Sequence, residues 1–196
     1  LESVVGPYLG LSPFEREWDL LRLWLRLPQD FDAYLTQGNL PLETALILAR
    51  LEPSELKALG PFFFDLRWSR GNAVNFLTWL WEAGQARACG LDQLLESEGF
   101  SEILKQNLSP KDAVARLSAK ARALRYPTVV RLEQDFAAAS GELSAGTAWE
   151  VAPSRNFEAG SVTLSARIRD RDQLIKAVRD LENMAGSGLW ETLWET

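Results

Sequence analysis

The sequence predicts a mainly α protein. A helix-turn-helix-type bundle of short helices spans 1–140, a small ββα module spans 144–185, and an amphipathic tail spans 186–196. Three observations lead there. Apolar residues recur at three- and four-residue spacings through the first 140 positions, which is the period of a helix with one buried face. Serine, proline and glycine interrupt these segments at short intervals, so the helices are short and joined by tight turns. Beyond Gly141 the apolar period drops to two, the signature of strands.

The elements follow in order. In "GLSPFEREWDLLRLWLRLP", Ser12 is an N-cap, Pro13 suits the first helical position and Glu15 completes a capping box, while Pro28 ends the helix. Leu20, Leu21, Trp24 and Leu27 make its apolar face, and Arg22 and Arg26 share the polar stripe. "QDFDAYLTQG" gives a short helix closed by Gly38. Asn39 is then positioned to cap a helix from Leu42 to Leu51, which Pro53 stops. That helix, within "QGNLPLETALILARL", carries small and branched apolar residues and no chemistry, so its expected role is packing. "DLRWSRGNAVNFLTWLWEAG" has Ser69 as N-cap, a core of Val74, Leu77, Leu80 and Trp81, and an expected end at Gly84.

"GLDQLLESEGFSEILKQN" gives two short amphipathic turns. "SPKDAVARLSAKARALRYP" repeats the Ser-Pro start at Ser109 and Pro110, with Val114, Leu117, Ala121 and Leu124 as its buried stripe. Pro127 interrupts, and a further helix runs to about Ala139. In the last third, "TAWEVAP" places Trp149 and Val151 on one face of a strand. "GSVTLSARIR" places Val162, Leu164, Ala166 and Ile168 on one face of a second. Asp170 or Asp172 caps a helix whose Leu174, Val178 and Leu181 share a side. Strand, strand and helix in some forty residues bury too little to stand alone and leave strand edges open. The module should therefore dimerise or lie against the helical domain, and dimerisation is the favoured outcome. In the tail, Leu189, Trp190, Leu193 and Trp194 share a helical face. Its acidic character favours packing on its own protein over an anionic membrane surface.

Composition excludes several function classes. There is no histidine, which removes imidazole acid–base chemistry, the usual serine and cysteine triads and two-histidine zinc sites. The single cysteine, Cys89, allows no internal disulfide and reads as an inert thiol. Glu96/Glu98 and Asp170/Asp172 stand two apart, which turns them away from each other on a helix. No phosphate-cradling glycine loop is present. The expectation is that the chain is not an enzyme and that this stretch holds no cofactor or metal. No apolar run has the length of a membrane span. The chain opens "LESVVGPY", without an initiator methionine or a cleavage signal, and reads as a piece of something longer. Its net charge of −6 is uneven, because residues 110–136 carry six bases against three acids.

With this layout in place, "LLRLWLRLPQDFDAYLTQGNLPLETALILARL" resembles the central segment of ParB-type chromosome and plasmid partition proteins. Leu25, Arg26, Leu27 and Pro28 match the end of the family's leucine-rich helix, and Gly38, Leu40, Ala45 and Leu48 match the turn and helix that follow. "AWEVAPSRNFEAGSVTLSARIRDRDQLIKAVRDL" is similar to the family's C-terminal ββα dimerisation module. The resemblance covers about half the chain. It implies binding of double-stranded DNA, a homodimer, and a cytoplasmic, nucleoid-associated bacterial protein. It also implies a CTP-binding domain preceding Leu1, through which a partition ATPase would be reached.

Under this reading the DNA-contacting candidates form two groups. Arg67, Ser69, Arg70, Asn72 and Asn75 gather at one helix N-terminus, where backbone N–H groups favour a phosphate and Arg and Asn side chains suit base edges. Arg116, Lys120, Arg122 and Arg125 recur along the basic helix. The dimerisation candidates are Trp149, Val151, Val162, Leu164, Ile168, Leu174, Val178 and Leu181. Two readings stand beside this one. The charges are ordinary solvated side chains and Ser69 a plain cap; or the fold is a helical protein-interaction scaffold that has lost specific DNA binding. Glu15 and Glu17 favour the scaffold, since the family's recognition helix carries small, polar or basic residues there.

Overall fold

The structure is a computed structural model, and it describes residues 16–64, 66–153 and 161–194. The protein is mainly helical with one small antiparallel sheet, and it divides into two compact units at Tyr126/Pro127. The expected cap at Ser12, Pro13 and Glu15 lies outside the described residues.

The first unit begins with α1 (Arg16–Trp24) and α2 (Asp30–Thr36). The expected helix from Leu42 to Leu51 is shorter: a 3-10 turn, Leu42–Thr44, runs into α3 (Ala45–Leu48). Asn39 does not cap it. Its side chain is buried and its amide donates to the Phe64 carbonyl at 3.0 Å and to Gln37 Oε1 at 3.2 Å, a use better suited to a buried amide than an exposed cap. Pro53 does not stop that helix either; it opens α4 (Pro53–Leu59) at the first position, where its missing N–H costs nothing. Glu55 completes a capping box with Glu52 and also accepts from the Leu91 N–H at 2.7 Å, so one carboxylate serves two helix starts. After α5 (Pro61–Phe64) comes the long central helix α6 (Arg70–Arg87), then α7 (Leu91–Ser97), α8 (Phe100–Leu104) and α9 (Pro110–Arg125).

Helix α6 is the hub. Ala73, Phe76, Leu77, Leu80 and Ala83 are buried and Val74, Trp79 and Trp81 half-buried, so it is apolar around most of its circumference. Phe76 is fully buried; its ring stacks on Trp68 at 4.6 Å and meets Phe62, Phe63 and Phe100 at tilted or edge-on angles. Helix α9 makes the most extensive helix pair with α6; its buried face carries Leu117 between Ala113 and Ala121, and the two alanines let the backbones approach. Gly84 does not end α6. It is interior, and a Cβ there would stand 3.0 Å from the Cys89 carbonyl, where the chain doubles back. The end comes three residues later, with Ala88 in the left-handed region at φ 51°.

The second unit contains α10 (Pro127–Ser144), β1 (Trp149–Pro153), β2 (Val162–Ala166), α11 (Arg171–Ala185) and α12 (Leu189–Trp194). The strands pair antiparallel with Val151 opposite Leu164. Phe136, Ala139 and Leu143 of α10 pack with Val151, Met184 and Leu193, and Trp149, Val162, Leu164, Leu189 and Trp190 close the cluster. The sequence reading drew the boundary near residue 140 and set the tail apart. The packing instead gives α10 and α12 to this unit, because they supply the apolar surface that forty residues of ββα lack. The second strand also ends at Ala166, leaving Ile168 beyond it. Among the described residues no helix is long and apolar enough to cross a membrane.

Candidate functional site

The first group of predicted contacts assembles where Ser69 caps α6, its hydroxyl accepting from the Asn72 N–H at 3.3 Å. The cap puts Arg67, Arg70, Asn72 and Asn75 on an exposed turn at the positive end of an 18-residue helix. Arg70 and Asn75 border an open groove of about 320 Å³ floored by Leu46, Gly71 and Val74, to which α1 adds Arg16. Glu43, from the 3-10 turn, enters the same groove and pairs with Arg70 at 3.0 Å. The Arg70 side chain is 71% exposed, so the pair is weak and its partner exchangeable, yet the carboxylate stays where a phosphate would sit. Sequence reading missed Arg16, Glu43 and Leu46 here; nothing local marks them, since the fold alone brings them to α6.

The second group is occupied from several sides. Arg125 binds Glu82 of α6 at 2.5 Å and lies 4.6 Å from the Tyr126 ring centre. The hydrogen bond to Glu82, reinforced by its charge and outweighing partial desolvation, pushes the Arg125 guanidinium further above its ordinary range. Lys120 stands over the Phe100 ring at 5.3 Å, Arg116 donates to Gln106 Oε1, and Arg122 is half-buried and engaged with neighbouring groups. These partners come from the far half of α6, from α8 and from the loop after it. Those of the first group come from the 3-10 turn. The nine predicted residues therefore form two separate sets, each with a carboxylate in it.

The dimerisation candidates also divide. Val151 is buried and Trp149, Val162, Leu164 and Leu181 are half-buried; the Trp149 indole donates to the Ala177 carbonyl at 2.8 Å. These belong to the unit's own core or its margin. Leu174 and Val178 instead face outward at 50% and 47% exposure, and Ile175, which sequence reading passed over, joins them at 43%. Arg171, Leu174, Ile175, Val178 and Glu182 fall three or four apart and form one exposed stripe, beside the narrower side that buries Ala177 and Met184. Within the described residues each strand also keeps one edge without a strand neighbour.

No protein-family model matches the chain, and no curated protein or solved structure is similar to it. The ParB resemblance thus rests on the residues that carry it.

Proposed function

We propose that the chain is the DNA-binding and dimerisation region of a ParB-like partition protein acting in chromosome or plasmid segregation. Of the two activities, pairing of two copies is the one the geometry favours more directly. The observation that carries it is the α11 stripe. Three large apolar side chains stand side by side in water on a helix that buries only Ala177 and Met184, and clustered exposure of this kind marks an interface more often than scattered apolar residues do. The stripe is also self-complementary. An antiparallel copy related by a twofold axis that sets Ile175 opposite Val178 sets Arg171 opposite Glu182 at both ends. Nucleoid association and contact with a partition ATPase through a preceding segment belong to the same proposal.

Sedimentation equilibrium tests the pairing. The expected result is a dimer that Val178→Asp converts to monomer with an unchanged far-ultraviolet circular dichroism spectrum, since Val178 is exposed in the single copy. A monomeric parent chain would refute it.

The DNA half predicts saturable binding to duplex at low salt. Affinity should fall linearly in log salt, and Arg67→Ala should lower that slope by about one. Glu43 and Glu82, each paired with a predicted contact residue, favour the second reading, a scaffold of the same fold without DNA binding. Absence of duplex binding at the lowest salt would select it.

A further inference from the structure

A further cavity of the first unit shares no lining residue with either predicted contact group. It is a groove of about 460 Å³ between α2, α4 and α5, inside the range of about 300–1,000 Å³ over which proteins hold small ligands and peptide side chains. Its floor is the buried pair Phe31 and Leu56. Its walls are aromatic: Tyr34, half-buried, stands edge-on to Phe31 at 5.5 Å, and Phe64 is 65% exposed beside Pro61. Asp30 and Lys57 stand at its border.

These walls are held in place. The Trp24 indole donates to Asp32 at 2.9 Å and ties α2 to α1. The buried Asn39 amide and the Trp68 indole donate to the Phe64 and Phe62 carbonyls, which fixes α5 from beneath. An amide buried at 5% exposure is thus used to set the backbone beneath an aromatic ring left in solvent. A preset groove spares a ligand the cost of ordering it.

The Tyr34 hydroxyl donates to no described residue. Desolvation, aided by the Asp30 charge, raises its ionisation above the ordinary range, so it remains a donor at neutral pH. A groove with aromatic walls, one hydroxyl donor and an acid at its border fits an extended ligand. A polyproline helix has no internal hydrogen bonds and presents bare carbonyl acceptors, whereas the side of an α-helix presents none. Proline rings pack between aromatic side chains, and the border offers Asp30 to a cationic residue on the α2 side and Lys57 to an acidic one on the α4 side.

We propose that this groove docks a proline-rich extended segment of a partner protein, with a basic residue next to Asp30. This goes beyond the partition reading and does not depend on it. Fluorescence anisotropy with the labelled synthetic peptide RPLPPLP tests it on the full chain. The peptide should bind saturably, about tenfold more tightly than RALAALA and more tightly than EPLPPLP. Phe64→Ala should weaken it about tenfold, and Tyr34→Phe, which keeps the ring and removes the donor, about threefold. Circular dichroism should show both variants folded, since Phe64 is exposed and the second change is a single hydroxyl. Equal binding of RALAALA, parent-like binding by Phe64→Ala, displacement by duplex DNA, or preference for an amphipathic helical peptide would each overturn the proposal.

Discussion

Replacing Ala45 by glutamate should abolish cooperative folding of the first unit. Ala45 has no exposed surface; it lies in α3, which packs on α1 and α6. A carboxylate placed there loses its water, a cost of several kcal/mol when it is left unpaired. Whole domains are stable by only about 5–15 kcal/mol, so a penalty of that size removes much or all of the margin. The neighbouring Leu46 supplies the control. It is 37% exposed, so Leu46→Glu keeps its charge in water and should melt close to the parent. Thermal denaturation followed by circular dichroism separates the two. An Ala45→Glu protein with the parent's helix content and melting temperature would show that α3 is not core.

Phe76→Ala should be the most damaging large-to-small change, with a loss of about 3–5 kcal/mol. The ring is fully buried and meets four other aromatic residues, so its removal leaves a cavity walled by rigid rings that cannot close in. Each aromatic pair lost adds about 0.5–1.5 kcal/mol to the area term. Trp68, stacked on the missing ring, should report the change as altered fluorescence in the native state. Urea unfolding measures the size, and a loss below about 1 kcal/mol would mean that the aromatic cluster is not the centre of the core. Phe64, on the preceding helix and mostly exposed, should tolerate alanine almost without loss, although both residues are phenylalanines in one unit. Burial, not residue type, sets the difference.

What could be read in advance depended on how local its cause was. Ser69 and Ser109 are N-caps in the structure as in the sequence, and of the two candidates Asp170 and Asp172 the first is the cap, because a cap is a hydrogen bond between residues two or three apart. The alternation from Trp149 to Pro153 and from Val162 to Ala166 gave both strands, since side-chain direction follows from the period alone. Asn39, Pro53 and Gly84 were misread for a shared reason. Each has a common local use, as cap, stop or helix end, and each is employed by a residue or segment the local window leaves out. Asn39 serves a carbonyl 25 residues away, and Gly84 makes room for the returning chain at Cys89.

The candidate surfaces divide in the same way. Sequence by itself determined the helical class, the change of period near Gly141, the caps at Ser69 and Ser109 and the amphipathic side of α11. All of these follow from torsional preference and from spacing along one element. Tertiary structure alone decided which cations have carboxylate neighbours. Arg70 meets Glu43 and Arg125 meets Glu82 only because the packing of α6 against the 3-10 turn and against α9 brings distant positions within 3.0 Å and 2.5 Å. Tertiary structure also decided that α10 and α12 pack into the module's core while Leu174, Ile175 and Val178 face outward. Both outcomes depend on which faces meet in space, and a linear pattern specifies a face without specifying what covers it.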